Sequence, residues 1–123
     1  MIVMNRYHIP LLFLLILGGC ENHVMFEPDN LPNAHIGKVY SVPVSITGGA
    51  GPIVDLSYNI IPAESGVKLK FEGKKYYTEY IYNNFIIEGT PKFSGVIEIQ
   101  LEGGIVGSAG ETFKKKYKIK VTD

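Results

Sequence analysis

The sequence predicts an all-β protein, an antiparallel β-sandwich of about seven short strands. Apolar and polar side chains alternate with a period of two along most of the chain after residue 31. Clusters of glycine, proline and serine interrupt the alternation about every dozen residues, and no stretch has a convincing helical pattern. Many short strands with one apolar face bury that face by packing as two sheets.

Three alternating segments occupy the first half of the predicted domain. The first is KVYSVPVSI, in which Pro43 favours a position at a sheet edge. The turn TGGAGP, residues 47–52, leads to the second segment, PAESG leads to the third, and Gly73 ends it. The predicted inward residues are Tyr40, Val42, Val44 and Ile46, then Val54, Leu56, Tyr58 and Ile60, then Val67, Leu69 and Phe71.

The middle segment, KKYYTEYIYNN, fits two structures. Some of its apolar residues have helical spacing, but its content of tyrosine, isoleucine and threonine favours a strand. Aromatic residues then fall on both faces, so some should be exposed, where tyrosine favours protein interfaces and can stack on sugars. The alternative is that two of them fill the core and the others cover its edge. The candidate partner-binding residues are Tyr76, Tyr77, Tyr80 and Tyr82.

Three strands complete the predicted sandwich. A short apolar strand at 85–88 ends at Gly89-Thr90-Pro91, and two longer strands at 97–101 and 113–121 flank the loop GGIVGSAGE. The predicted inward residues of the last two are Ile97, Ile99, Leu101, Phe113, Tyr117, Ile119 and Val121.

A row of lysines marks the outer face of the last strand. The row consists of Lys114, Lys116, Lys118 and Lys120. It indicates either a solvated sheet face or a binding surface. If the last two strands form a hairpin, the alternation predicts that Glu98 pairs with Lys116 and Gln100 with Lys114.

The start of the chain has the parts of an export signal. Arg6 precedes an apolar run at 9–17, which is shorter than the ~20 residues of a membrane-spanning helix. The four residues Leu-Gly-Gly-Cys at 17–20 resemble the lipobox of bacterial lipoproteins, and this resemblance implies cleavage before Cys20 and acylation of its sulfur and new amino group. Cys20 is the single cysteine of the chain and cannot form an internal disulfide. The alternative is an ordinary buried or unpaired thiol.

These features predict three regions: a lipoprotein signal peptide at 1–19, a lipidated cysteine with its tether at 20–30, and the sandwich domain at 31–123. The tether is inferred from the mixed polarity of ENHVMFEPDN. Residue 21 is Glu, whereas lipoproteins retained in the inner membrane carry Asp there. In a cell with two membranes, the resemblance therefore implies the outer membrane.

The order of landmarks in the domain resembles the immunoglobulin-like, cadherin-like repeat of bacterial surface proteins. The matching positions are Gly37 and Tyr40, Gly-Gly-x-Gly-Pro at 48–52, and Ile-x-Gly-Thr-Pro at 87–91 followed by Gly95. The resemblance covers about residues 31–122 and implies an immunoglobulin-like sandwich. Members often stand in tandem arrays as spacers or adhesive modules. This chain has one copy, which favours binding of a partner.

Composition and motifs predict neither catalysis nor a cofactor. Equal numbers of basic and acidic residues, 12 and 12, argue against nucleic acid as a partner. His23 and His35 stand alone, so no metal site is expected, and Pro28-Asp29-Asn30 is only a fragment of a cadherin calcium motif. The glycine-rich segments lack the lysine and serine of a phosphate loop. A carboxylate pair could form only if Glu79, Glu88 or Glu98 met in space.

The sequence therefore predicts a non-catalytic envelope lipoprotein. Its lipid anchor at Cys20 attaches it to a membrane, and its immunoglobulin-like domain binds a protein or envelope partner. Two alternatives remain open, a carbohydrate-binding surface module that uses the tyrosines and an inhibitor or immunity protein against an envelope hydrolase.

Overall fold

The structure is a computed structural model that describes residues 24–49, 51–105 and 112–123. All regular structure in these ranges is β-strand, and they contain no helix able to cross a membrane. The strands are β1 (Val24–Glu27), β2 (Ala34–His35), β3 (Tyr40–Gly48), β4 (Ile53–Ile61), β5 (Val67–Phe71), β6 (Lys75–Tyr76), β7 (Glu79–Tyr80), β8 (Asn84–Gly89), β9 (Gly95–Ile105) and β10 (Thr112–Thr122).

Two four-stranded sheets form an immunoglobulin-like sandwich. The first sheet has the order β1-β3-β8-β5 and the second has the order β2-β10-β9-β4. Neighbouring strands are antiparallel except for β2 and β10, which run parallel. In the immunoglobulin order, the first, second, fifth and fourth of seven strands form one sheet, and the third, sixth and seventh form the other. Here β1, β3, β8 and β5 take the places of the first set, and β4, β9 and β10 take those of the second. The predicted fold class is confirmed.

The core lies between the inner faces of the two sheets. The predicted inward residues of β3, β5, β9 and β10 are buried or half-buried, as the period-two pattern requires. β4 is less regular, because it is an edge strand with a bulge between Ile53 and Asp55. Its inward-facing Tyr58 consequently stays exposed.

The domain begins earlier than predicted. Val24–Glu27, expected in the tether, forms β1 and pairs with β3 from Val24↔Gly48 to Glu27↔Ser45. Phe26 is buried, and its ring lies 5.6 Å from that of Phe113. The assignment of 24–27 to the tether is therefore wrong. Four residues of mixed polarity are too few to show a period of two. Their partners lie far away in the sequence, in the edge of β3 and the apolar surface of β10.

Pro43 lies on β3, which is an interior strand, whereas the sequence predicted an edge strand. β1 pairs only with residues 45–48 of β3, so it ends before Pro43. The Ile46 N–H donates towards β8, to the Asn83 carbonyl, and alternate residues of a strand point their N–H groups to opposite sides. The missing N–H of Pro43 therefore faces the side that β1 leaves open, and no ladder hydrogen bond is lost.

The last two strands are longer than predicted. β9 continues through Gly103 to Ile105, so these residues are not part of a loop. Gly103 is buried where the bulged strand β4 crosses close by, and a Cβ there would overlap the Asp55 carbonyl oxygen. The remainder of the predicted loop, 106–111, lies outside the described residues.

The predicted hairpin register is wrong by two residues. Lys116 pairs with Gln100, and Lys118 pairs with Glu98. The predicted faces are right, since a slip of two residues keeps every side chain on its face. Glu98 still lies 3.9 Å from Lys116, on a diagonal. Such exposed pairs contribute at most about 1 kcal/mol, and alternation alone could not choose between the two registers.

Two buried tyrosines hold the N-terminal chain against the sandwich. The Tyr40 hydroxyl donates to the Pro32 carbonyl at 2.7 Å, and the Tyr117 hydroxyl donates to the Pro28 carbonyl at 2.5 Å. Burial raises the pKa of Tyr40 to about 12. Burial and the negative charge of Asp29 also raise the pKa of Tyr117.

The free energy of unfolding should fall as the pH rises above about 10. Unfolded tyrosine ionises near pH 10, whereas folded Tyr40 keeps its proton to about pH 12, so the unfolded chain binds fewer protons in this window. The contribution is complete below about pH 10 and is lost towards about pH 12. Urea unfolding at several alkaline pH values should show a shallower decline for Tyr40→Phe, which cannot ionise. Identical slopes for the two proteins would contradict this assignment.

Candidate functional site

The sandwich has two ends with different side chains. The turn after β3, the β6–β7 hairpin and the start of β1 lie at one end, called here the hairpin end. The turns at 36–39, 61–66 and 90–94 lie at the other, called here the opposite end. The candidate tyrosines belong to the hairpin end.

The tyrosine-rich segment forms a small hairpin, so the single predicted strand is wrong. Lys75 pairs with Tyr80 and Tyr76 with Glu79, and Tyr77 opens the turn with a φ of 57°. The Ile81 N–H donates to the Lys74 carbonyl at 3.0 Å and closes the hairpin. Charged residues alternate irregularly with the tyrosines, so the segment has no continuous apolar face to extend either sheet.

The structure separates the four candidate tyrosines. Tyr77 and Tyr80 are 86% and 50% exposed on the hairpin, and the Lys75 ammonium lies 4.9 Å above the Tyr80 ring. Tyr82 packs edge-on against Phe71, with ring centroids 5.3 Å apart, and joins the rim of the core. Tyr76 lies in β6, and its side chain is outside the described residues. Tyr77 and Tyr80 therefore remain as candidates for an exposed binding surface.

Asn83 fixes the base of the hairpin and was not identified from the sequence. Its side-chain amide donates to the Ile46 carbonyl at 3.0 Å, and its side-chain oxygen accepts from the Ile53 N–H at 2.9 Å. Ile46 and Ile53 belong to different sheets, so one side chain bridges the two. The Tyr82 N–H also donates to the Ile53 carbonyl, at 2.9 Å. The hairpin is thus held over the end of the sandwich.

The opposite end carries a second exposed cluster, the distal apolar patch, defined as Ile61, Phe93 and Val96. These side chains are 44%, 55% and 57% exposed. Phe93 and Val96 line one shallow depression with Pro62. Ile61 lies opposite Glu98 on the outer face of the second sheet, one diagonal step from Val96. The patch joins two turns that are distant in sequence, so period-two patterns gave no indication of it.

The outer face of the second sheet forms a shallow polar groove of about 440 Å³. Ser57 and Asn59 of β4, Gln100 of β9, and Lys114 and Lys116 of β10 line it. Gln100 donates to the Glu98 carboxylate at 2.7 Å. The groove presents hydroxyl, amide and ammonium groups, whereas the Tyr58 ring faces the other side of the sheet, 6.0 Å from the Phe71 ring.

Lys115 interrupts the inward face of β10. Its side chain reaches along the rim of the core, 5.0 Å from the Tyr117 ring, and its ammonium donates to the Asp29 carboxylate at 2.7 Å and to the Asp29 carbonyl at 2.9 Å. The aliphatic stem covers apolar surface while the charge reaches an exposed partner. Asp29 is therefore engaged in holding the N-terminal chain.

Other candidates for chemistry do not come together. Glu79 lies on the hairpin, whereas Glu88 and Glu98 lie on the outer faces of different sheets. His35 is exposed, and its Nδ1 lies 3.3 Å from the Asp123 carbonyl oxygen. Among the described residues, no three His, Cys, Asp or Glu side chains are grouped as metal ligands. Cys20 and His23 lie outside the described residues.

No protein-family model and no curated protein matches the chain. The fold is similar to a solved structure described as the S-layer protein SbsC domains 4 and 5, with a TM-score of 0.50 and 10% sequence identity. The match covers 82% of this chain and 51% of that one, so the chain spans about half the length of the S-layer structure. At this identity the likeness shows a shared fold alone.

Proposed function

We propose that this chain is a lipid-anchored protein of the bacterial cell envelope whose immunoglobulin-like domain is a non-catalytic binding module for a partner protein. The anchor is Cys20, after the lipobox-like residues 17–20, and Glu21 favours the outer membrane where two membranes are present. The observation that carries the binding role is the distal apolar patch.

The distal apolar patch has the composition of a protein-binding surface. Exposed apolar side chains gathered in one place, and not scattered singly, mark sites of interaction. Phe93 supplies an aromatic anchor of the kind that dominates binding energy at interfaces. Ser94 borders it, and Glu98 lies across from Ile61, so the patch has a polar rim.

The anchor is tested by labelling the full chain with an alkyne-bearing fatty acid in a bacterium that processes lipoproteins. The parent should carry the label and sediment with membranes, and Cys20→Ala should lose both properties. Because the described domain starts at Val24, both proteins should unfold at the same temperature. A parent chain without label would overturn the anchor.

The partner surface is tested by photo-crosslinking in intact cells. A photoreactive residue replacing Phe93 should give one discrete crosslinked protein, and a second substitution, Val96→Asp, should abolish it without lowering the melting temperature. The matched control places the same residue at Lys70, which is exposed on the outer face of β5 in the other sheet. Equal crosslinking from both positions would show that the patch has no specific partner.

Carbohydrate binding is the second candidate, and the polar groove favours it. Ser57, Asn59 and Gln100 line it with hydroxyl and amide groups, which can form hydrogen bonds with the hydroxyl groups of a sugar. Glycan-array binding by the parent that is lost in Asn59→Ala would support this function. Binding that survives the substitution would exclude the groove.

A further inference from the structure

We propose that the hairpin end docks on the lipid bilayer itself, with Tyr77 and Tyr80 in the head-group region, so that the sandwich stands upright beside its anchor. This inference rests on the proposed acylation of Cys20. It assigns a lipid surface to the exposed tyrosines and leaves the opposite end facing away from the membrane.

The chain length between anchor and domain places the hairpin end at the membrane. β1 starts at Val24, which pairs with Gly48 at the hairpin end. Cys20 lies four residues earlier, and four residues span at most about 14 Å when fully extended. An acylated Cys20 sits at the bilayer surface, so the hairpin end cannot lie far from the lipid head groups.

The anchor and the hairpin contact the membrane at separate points. β1 and β5 are the two edges of the first sheet, three strand spacings or about 14 Å apart. The hairpin follows β5, and the hydrogen bonds of Tyr82 and Asn83 fold it towards β4. One lipidated point and one aromatic point at the same end restrict the tilt of the long axis, which a single anchor would leave free.

The side chains at this end suit a bilayer interface. Tyrosine has an apolar ring and a polar hydroxyl, and it is enriched where a membrane meets water. Exposed Met25 lies at the same end, opposite Thr47. The charges of the hairpin balance, because Lys74 pairs with Glu72 at 3.2 Å and Lys75 is offset by Glu79. Docking should therefore depend on aromatic burial and should be insensitive to salt and anionic lipid.

The chain contains no tryptophan, so a single introduced tryptophan reports on one position. The mature acylated chain with Tyr80→Trp and, as the matched control, the mature acylated chain with Phe93→Trp are reconstituted in phosphatidylcholine vesicles with brominated acyl chains. The tryptophan at the hairpin should be quenched about twofold, and the tryptophan at the opposite end should be unaffected, because brominated chains quench only at close range. Quenching should persist in 1 M salt.

The outcomes separate the docking from the anchor. If both variants fail to float with the vesicles, the anchor of the proposed function fails. If both float but neither tryptophan is quenched, the docking is overturned and the anchor stands. Quenching that appears only after envelope protein is added would also overturn the docking on lipid and would favour a protein partner. As a second measurement, Thr78→Trp should lose its quenching when Tyr77→Ser and Tyr80→Ser are added, and unchanged quenching would exclude the tyrosines.

Discussion

Replacing Ile99 with alanine should lower the free energy of unfolding by about 2 to 5 kcal/mol. Ile99 is completely buried in β9, where it pairs with Tyr117 of β10 on one side and Ile60 of β4 on the other. Because hydrogen-bonded strands flank it on both sides, the backbone cannot collapse into the cavity that the substitution leaves. Most of the cavity cost should therefore appear in the measured stability.

Lys118→Ala is the matched control for this experiment. Lys118 is exposed on the outer face of the neighbouring strand, opposite Glu98. Its loss should change the free energy of unfolding by less than about 0.5 kcal/mol. Urea unfolding of the two variants, with similar denaturant slopes, measures the difference. Equal losses would mean that Ile99 does not face the core.

The alternation predicted faces well because burial enforces a period of two. Ile99 and Tyr117 face inward as predicted, and Glu98 and Lys118 face outward. Register was not predictable in the same way, since shifting β10 by two residues leaves the same faces buried. The register depends on where the strands end. The sequence predicted that β9 ends at Leu101, because Gly103 fits a turn. In the structure Gly103 lies inside β9, where the close approach of β4 requires a glycine.

The N-terminal strand could not be predicted because its stabilisation comes from distant residues. Nothing within 24–27 distinguishes a strand from a tether. Phe26 becomes a core residue only because Phe113 and Tyr117 line the facing sheet. Asp29 is likewise held by Lys115, 86 residues away in sequence. Such long-range pairs have no local pattern.

The candidate surfaces were likewise predictable from the sequence only in part. Composition was sufficient to select the tyrosine-rich segment, but the turn at Tyr77 and the contact of Tyr82 with Phe71 decide which rings are exposed. The distal apolar patch has no counterpart in the sequence pattern, because only the fold brings the turns that follow Ile61 and hold Phe93 to the same end. The shared location of β1 and the hairpin at one end also depends on topology.

Gly89 explains part of the Gly-Thr-Pro motif in physical terms. It has a φ of 142° and lies where β8 passes Gly66, whose carbonyl oxygen accepts from the Thr90 N–H at 3.1 Å. A Cβ on Gly89 would overlap that carbonyl oxygen and lie 2.9 Å from the Val67 Cα. These neighbours are backbone atoms held in a ladder, so they cannot move aside as a flexible side chain would.

Gly89→Ala should therefore lower the free energy of unfolding by about 2 to 6 kcal/mol. The strained φ contributes about 1 to 3 kcal/mol of this loss, and the overlap with backbone atoms contributes about 1 to 3 kcal/mol. Gly95→Ala is the matched control, because Gly95 also has a positive φ, 119°, but nothing lies within 4 Å of its added Cβ. It should show only the cost of the φ angle, about 1 to 3 kcal/mol. Urea unfolding of both variants isolates the overlap as the difference between them. If the two variants lose the same stability, β8 approaches Gly66 less closely than the structure shows, and Gly89 is required only for its positive φ.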